Sequence, residues 1–159
     1  MDFKIIIYAL LIFLGLSAKS YSRIGETKNE CIKRYGAVIG SDKEAGIQIH
    51  MKGGFSIAIQ FVDNFVGSIA FQKMKEDILG QHEEISDNEI EIILNRNGGG
   101  KSWTENEQLS LDRLWTTEDG TLIAKYDWVE KILAIMTMEM VDLVTKSKKT
   151  SEAEKLDDF

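Results

Sequence analysis

The chain has 159 residues, 43% hydrophobic and 28% charged, with a formal net charge of −7 and no proline. This composition suffices for a packed core and excludes a disordered chain. The negative balance argues against nucleic acid, which needs clustered Lys and Arg to release counterions from phosphates, and against anionic membrane surfaces.

Lys4 precedes Ile5–Leu16, an unbroken apolar run of twelve residues. A spanning helix needs ~20 apolar residues, so the run has the length of a signal-peptide core, with small residues Ala18, Ser20 and Ser22 offering cleavage positions. Residues 1–22 therefore read as a signal peptide and the protein as periplasmic or secreted, with no stable membrane span after cleavage. The alternative is an uncleaved anchor or a core helix. Residues 23–145 read as one α+β domain in two halves, about 23–80 and 81–145, followed by a charged tail, 146–159.

Thr27 and Glu30 have capping-box spacing, and Gly36 supplies a helix stop, which predicts a short helix over about 27–35. Its apolar face carries Cys31, the sole cysteine. A lone Cys on such a face reads as a small buried side chain; exposed, it would be a thiol nucleophile or an intermolecular cross-link.

Residues 47–52 and 55–61 alternate apolar with polar side chains and predict two strands. A three-residue loop, 52–54, places Ile49 opposite Ile57 with all large apolar groups on one face. A second three-residue loop, 62–64, pairs Ile57 with Ile69 and Phe55 with Phe71. The first half thus reads as a helix followed by a three-stranded antiparallel meander, with His50 on its polar face. His82 falls in a loop.

The second half repeats this plan. Ser86 and Glu89 form another capping box, Ile85 and Ile90 have hydrophobic-staple spacing, and Asn97-Gly98 ends the helix. The following Gly98-Gly99-Gly100-Lys101-Ser102 superficially suggests a phosphate loop. Asn95 stands where that motif needs its first glycine, and the glycines follow a helix instead of opening one, at the end that repels anions. Trp103 sits in a charged loop. Residues 114–117, 121–126 and 132–138 predict strands, with Trp115 facing away from Leu114 and Leu122, and Trp128 at a hairpin tip. The uniformly apolar 132–138 suggests a central strand or one running into a last helix, about 138–150. The fold class expected is α+β: two short-helix-plus-antiparallel-meander units packed into one domain, with a C-terminal helix.

The opening Arg23-Ile24-Gly25-Glu26-Thr27, then Cys31 and Arg34-Tyr35-Gly36, resembles the start of an uncharacterised family of short secreted bacterial proteins, which continue into strands, an S-D-N-E-I helix, a Gly-rich stop and a Trp. More distantly, Gly25, Thr27, Gly36 and Phe61-Val62-Asp63-Asn64-Phe65-Val66 resemble the helix-plus-meander domains of β-lactamase-inhibitor-like proteins and of the small lipoprotein of the outer-membrane assembly machine. The latter's lipid-bearing Cys is missing here. The resemblance implies an exported, protein-binding domain.

Neither histidine has a second His or Cys at metal-ligand spacing, the serines lack a nucleophile-elbow context, and no cofactor motif is present. The reading is a non-enzymatic exported module that binds a protein partner, with Trp128, Trp115 and Trp103 as candidate contact residues. The alternatives are a small hydrolase using Cys31 or His82, or a structural homodimer.

Overall fold

The computed structural model describes residues 23–75, 82–106 and 112–157. The signal-peptide reading of 1–22 lies outside the described residues. Among the described residues three helices, α1 (Lys28–Tyr35), α2 (Asp87–Asn97) and α3 (Met138–Asp157), accompany one sheet. Its strands are β1 (Gly40–Asp42), β2 (Ile47–Lys52), β3 (Phe55–Val62), β4 (Phe65–Lys73), β5 (Trp103–Asn106), β6 (Arg113–Thr117), β7 (Leu122–Asp127) and β8 (Ile132–Thr137). All neighbours are antiparallel, in the order β1-β2-β3-β4-β8-β7-β6-β5.

The fold is α+β, as the duplicated helix-plus-meander pattern indicates. Each unit is a capped helix followed by a four-stranded meander. The units join through their last strands, β4 and β8, with Ala70 opposite Ala134 and Ile69 opposite Ile135. The apolar β8 is therefore central and also runs directly into α3. The short edge strands β1 and β5 escape the hydrophobic pattern because edge strands bury little. Trp103 thus lies on β5, not in a loop.

Both capping boxes form. Thr27 Oγ1 and Ser86 Oγ each accept from the backbone N–H three residues on, while Glu30 and Glu89 reach back to the cap N–H at 2.9 and 2.8 Å. The helices α1 and α2 lie on one face of the sheet. Cys31, Tyr35, Ile90, Ile93 and Leu94 share a core with Ile57, Ile59, Ile69, Phe71, Trp115, Ala124, Tyr126, Leu133 and Ile135. Fully burying one such Ile or Leu contributes about 1.5–3 kcal/mol, so this layer holds the two units together.

Two register expectations fail. The β2–β3 turn is Gly53-Gly54, both at positive φ (61° and 82°), so Lys52 pairs with Phe55 and Ile49 with Ala58. Ile49 and Ile57 consequently lie on opposite faces. Two consecutive residues at positive φ make the tight turn whose twist matches a hairpin, and two glycines adopt it without strain. The hydrophobic alternation misled because both faces of this sheet are partly apolar. The β3–β4 turn is likewise two residues, Asp63-Asn64 (φ 49° and 70°), and pairs Val62 with Phe65. A bulge between Gln60 and Phe61, opposite the extra residue Gly67, then restores the parity. Ile57 pairs with Phe71 and Ile59 with Ile69, so the core face contains the expected residues shifted by one pair along the strand. In the second unit Trp115 pairs with Ala124, which puts it on the same face as Leu122; the expected opposition holds for Leu114 alone.

Candidate functional site

The helices leave the other face of the sheet uncovered among the described residues. Ile49, Ala58, Ala70 and Ala134 follow one another directly across β2, β3, β4 and β8. Ile123, Ile132 and Met136 continue the same face across β7 and β8. These side chains are half-buried. Gln60, Gln72 and Thr116 supply polar groups at the periphery, and Lys125 is neutralised by Asp112 at 2.7 Å. The helix α3 touches the sheet at one end: Met140 is buried beside Gly67, while Leu143 and Val144 stay exposed. The middle of the row, Ala58, Ala70 and Ala134, is small-residued, and the row ends on Lys125, which pairs with Ala134 across β8 and β7.

A sequence signal for this face exists. Ser56-Ile57-Ala58-Ile59-Gln60, Ser68-Ile69-Ala70-Phe71-Gln72 and Ile132-Leu133-Ala134-Ile135-Met136 share one pattern, large apolar residues flanking a central Ala. The large residues enter the core and the alanines align on the opposite face.

The three tryptophans occupy different environments. Trp115 is 5% exposed and stacked under the Arg113 guanidinium at 4.8 Å. Trp103 is half-buried, and its Nε1 donates to the Leu94 carbonyl at 2.8 Å, closing the C-terminal end of α2. Trp128 is 36% exposed at the β7–β8 hairpin, edge-on to Tyr126 at 5.4 Å with the Lys131 ammonium over its ring at 4.9 Å. Neighbouring Val129 is exposed. The structure therefore does not bring the three together, and neither Trp103 nor Trp115 points to the uncovered face.

The chemistry-bearing side chains are similarly dispersed. Cys31 is completely buried, and burial, then the nearby Glu26 carboxylate, push its thiol up to about 12. A thiol held there has almost no thiolate at neutral pH and no access to a second chain. His50, placed by the alternation on a polar face, is completely buried under α1. Its Nδ1 donates to the Gly36 carbonyl at 3.0 Å, which fixes the proton on that nitrogen, since a carbonyl only accepts. His82 Nδ1 contacts the Lys73 carbonyl at 2.8 Å, and the adjacent Glu83 pairs with Lys75. The described residues contain no group of three or more His, Cys, Asp or Glu able to hold a metal ion.

The Gly98-Gly99-Gly100 run ends α2, with positive φ at Gly99 and Gly100. Gly98 itself sits so close to the Trp103 indole that a Cβ there would lie 2.6 Å from Nε1. Lys101 is engaged by Asp119 at 2.7 Å and by the Thr121 hydroxyl. These glycines are needed for a helix stop and for the tryptophan packed on it.

On the helix-covered face, α2 separates two depressions. One flank (Asp87, Glu91, Leu94, Trp103, Glu105, Arg113) is polar, with Arg113 paired to both Asp87 and Glu105. The other flank lies between α1 and α2, over Phe55, Ile57 and Phe71. No described helix is long and apolar enough to cross a membrane. The chain matches no protein-family model, no curated protein and no solved structure.

Proposed function

We propose that the chain is an exported, non-enzymatic binding module that engages a protein partner through the uncovered face of its sheet. One observation carries this reading: both core helices pack on a single face, and the opposite face presents the cross-strand row Ile49, Ala58, Ala70, Ala134, which ends on Lys125, itself bridged to Asp112. Depletion of charge at the core with polar groups at the rim is the compositional mark of a protein interface. Small side chains let a partner's apolar surface approach the backbone closely. The partner's chemistry follows: a flat or gently convex apolar patch ringed by hydrogen-bonding groups. The duplicated helix-plus-meander plan accords with the resemblance to exported protein-binding domains, and the apolar run in 1–22 accords with export. The burial of Cys31 counts against the thiol-hydrolase and disulfide-dimer readings.

The test places a photo-activatable phenylalanine analogue at position 70, and separately at position 91 on the solvent side of α2, in cells of the source organism. A discrete heteromeric adduct from position 70 alone supports the proposal, as does its loss in Ala134→Arg with unchanged thermal stability. An adduct at twice the protein's own mass converts the reading to a face-to-face homodimer. Adducts from neither position, or equally from both, overturn it.

A further inference from the structure

The cavity between α1 and α2 has a floor and a rim of opposite character. It encloses about 290 Å³. Phe55, Ile57, Phe71 and Ile93 form its apolar floor, with the Phe55 and Phe71 rings edge-to-face at 6.4 Å. The Tyr35 ring closes one wall; this residue is 5% exposed, and its hydroxyl is buried without a hydrogen-bond partner among the described residues.

Five of the lining residues are ionised at neutral pH, and two of them are neutralised by their own partners. Arg34 is bridged to Glu26, and Glu89 is bridged to Lys73 at 2.9 Å. The other three, Arg23, Lys52 and Arg96, have no carboxylate partner among the described residues. The Arg23 guanidinium stands 5.7 Å above the Tyr35 ring, and the Lys52 ammonium donates to the Arg34 carbonyl at the end of α1. Arg96 also complements the negative end of α2, as a cation in a last turn does. Lys52, through the Arg34 carbonyl, has the same role at the end of α1. That role does not explain Arg23, which precedes α1.

A protein with 26 acidic residues and 19 lysines and arginines has carboxylates to spare. On the opposite flank of α2 it uses two of them on the single Arg113. Three unneutralised cations around one apolar hollow are the inverse of that arrangement. An apolar cavity with a few converging polar groups is the usual form of a small-molecule site. Guanidinium groups at its rim select an anionic head through charge-assisted hydrogen bonds.

We propose that this cavity binds a small amphiphilic anion, a single carboxylate on a short apolar tail, with the head held by Arg23, Lys52 and Arg96 and the tail on Phe55, Ile57 and Phe71. The volume accommodates about ten water-sized groups at ~30 Å³ each, which matches an eight-carbon carboxylate. The site lies on the face opposite the proposed protein interface and stands or falls independently of it.

Octanoate is the probe, titrated calorimetrically into the full chain. Octyltrimethylammonium, with the same tail and opposite charge, and acetate, with the head alone, serve as controls. Saturable 1:1 binding of octanoate is expected, with at least tenfold weaker binding of both controls. The triple variant Arg23→Gln, Lys52→Gln, Arg96→Gln should lose at least tenfold in octanoate affinity while keeping the wild-type melting temperature. If that variant unfolds, Phe71→Leu with the rim intact should weaken octanoate and leave acetate unchanged. Equal binding of the cationic amphiphile, or octanoate binding insensitive to the rim and floor substitutions, overturns the proposal. Binding to phosphatidylglycerol vesicles without binding to dispersed octanoate overturns it too, since the anion would then be a membrane surface.

Discussion

Helices α1 and α2 begin alike and end differently. Each starts on a reciprocal capping box, and each is followed by glycine. The underside of α2 is Ile90, Ile93 and Leu94, with Asn97 at its end donating to the Ile93 carbonyl at 2.7 Å. The underside of α1 is Cys31 and Tyr35, resting on His50. The Tyr35 hydroxyl and His50 Nε2 are both buried without hydrogen-bond partners among the described residues. Two units of the same plan therefore carry different liabilities. The helix of the second is fastened by apolar groups indifferent to pH, with one ionisable neighbour, the buried Tyr126, whose hydroxyl accepts from the Ile85 N–H just before α2. The first is fastened by groups that ionise and by polar atoms that cost free energy when left unpaired.

The largest consequence is expected in alkali. Burial raises Cys31 from 9.0 to about 12, and burial likewise raises Tyr35 from 10.0 to about 12. Both groups are neutral when protonated, so above the lower value the unfolded chain releases protons that the folded chain retains. Stability is therefore complete below about pH 9 and falls as pH rises toward 12, by ~1.4 kcal/mol per pH unit for each titrating group. Between pH 8 and pH 11, urea denaturation of Cys31→Ala should show a loss about 3 kcal/mol smaller than that of the parent chain. Leu94→Ala, the corresponding truncation under α2, should cost ~2–5 kcal/mol at every pH and leave the alkaline slope unchanged. Equal slopes for the parent and Cys31→Ala would remove the asymmetry.

The glycines after the helices sharpen the contrast at smaller cost. Gly36 has φ 89° with nothing within 4 Å of an added Cβ, so Gly36→Ala meets only backbone strain, of order 1–3 kcal/mol. Gly98 has an ordinary helical φ of −75° but would drive a Cβ into the Trp103 indole and within 3.1 Å of the Lys101 carbonyl, an overpacking cost of ~1–3 kcal/mol. A double-mutant cycle with Trp103→Phe separates the causes. Gly98→Ala should couple to Trp103→Phe by at least ~0.5 kcal/mol, and Gly36→Ala should not. Coupling at both positions would mean that Trp103 influences α1 through the sheet.

What the sequence disclosed follows the strength of the local chemistry. Helix starts were legible because a capping box states its own geometry in four residues. The α+β duplication was legible because the boxes recur at Thr27 and Ser86, each followed by alternating strands. Register was not. Choosing between a two- and a three-residue turn at Gly53-Gly54 rested on one apolar and one polar face, but Ile47, Ile49 and Met51 lie on the uncovered side while His50 goes inside. Residue type is a poor guide where a buried polar group has a backbone partner, as His50 has in Gly36. The β4 bulge at Gly67 was invisible too, since a single inserted residue leaves hydrophobicity nearly unchanged. Of the candidate contact residues, Trp128 sits at a tip as read, while the fates of Trp103 and Trp115 depended on long-range pairing. The cationic cavity was beyond reach because Arg23, Lys52 and Arg96 come from three distant segments that only the fold converges.

The smallest expected effect tests whether the two starts are as alike as the two ends are different. Thr27→Ala and Ser86→Ala each remove one hydroxyl that accepts from a first-turn N–H at 3.4 Å and donates to the box glutamate at 2.8 or 2.7 Å. Each should cost ~1 kcal/mol in urea denaturation, the usual value of an N-cap. The glutamates keep their bonds to the cap backbone in both variants, so neither helix loses its second anchor. The Glu89 carboxylate has in addition the Lys73 ammonium of β4 at 2.9 Å. Glu89→Gln should therefore destabilise by a few tenths of a kcal/mol in low salt, an effect that fades as salt screens the partly exposed pair. A Ser86→Ala cost well above that of Thr27→Ala would show that the second cap carries tertiary load as well. The equivalence of the two units would then end at their sequence pattern.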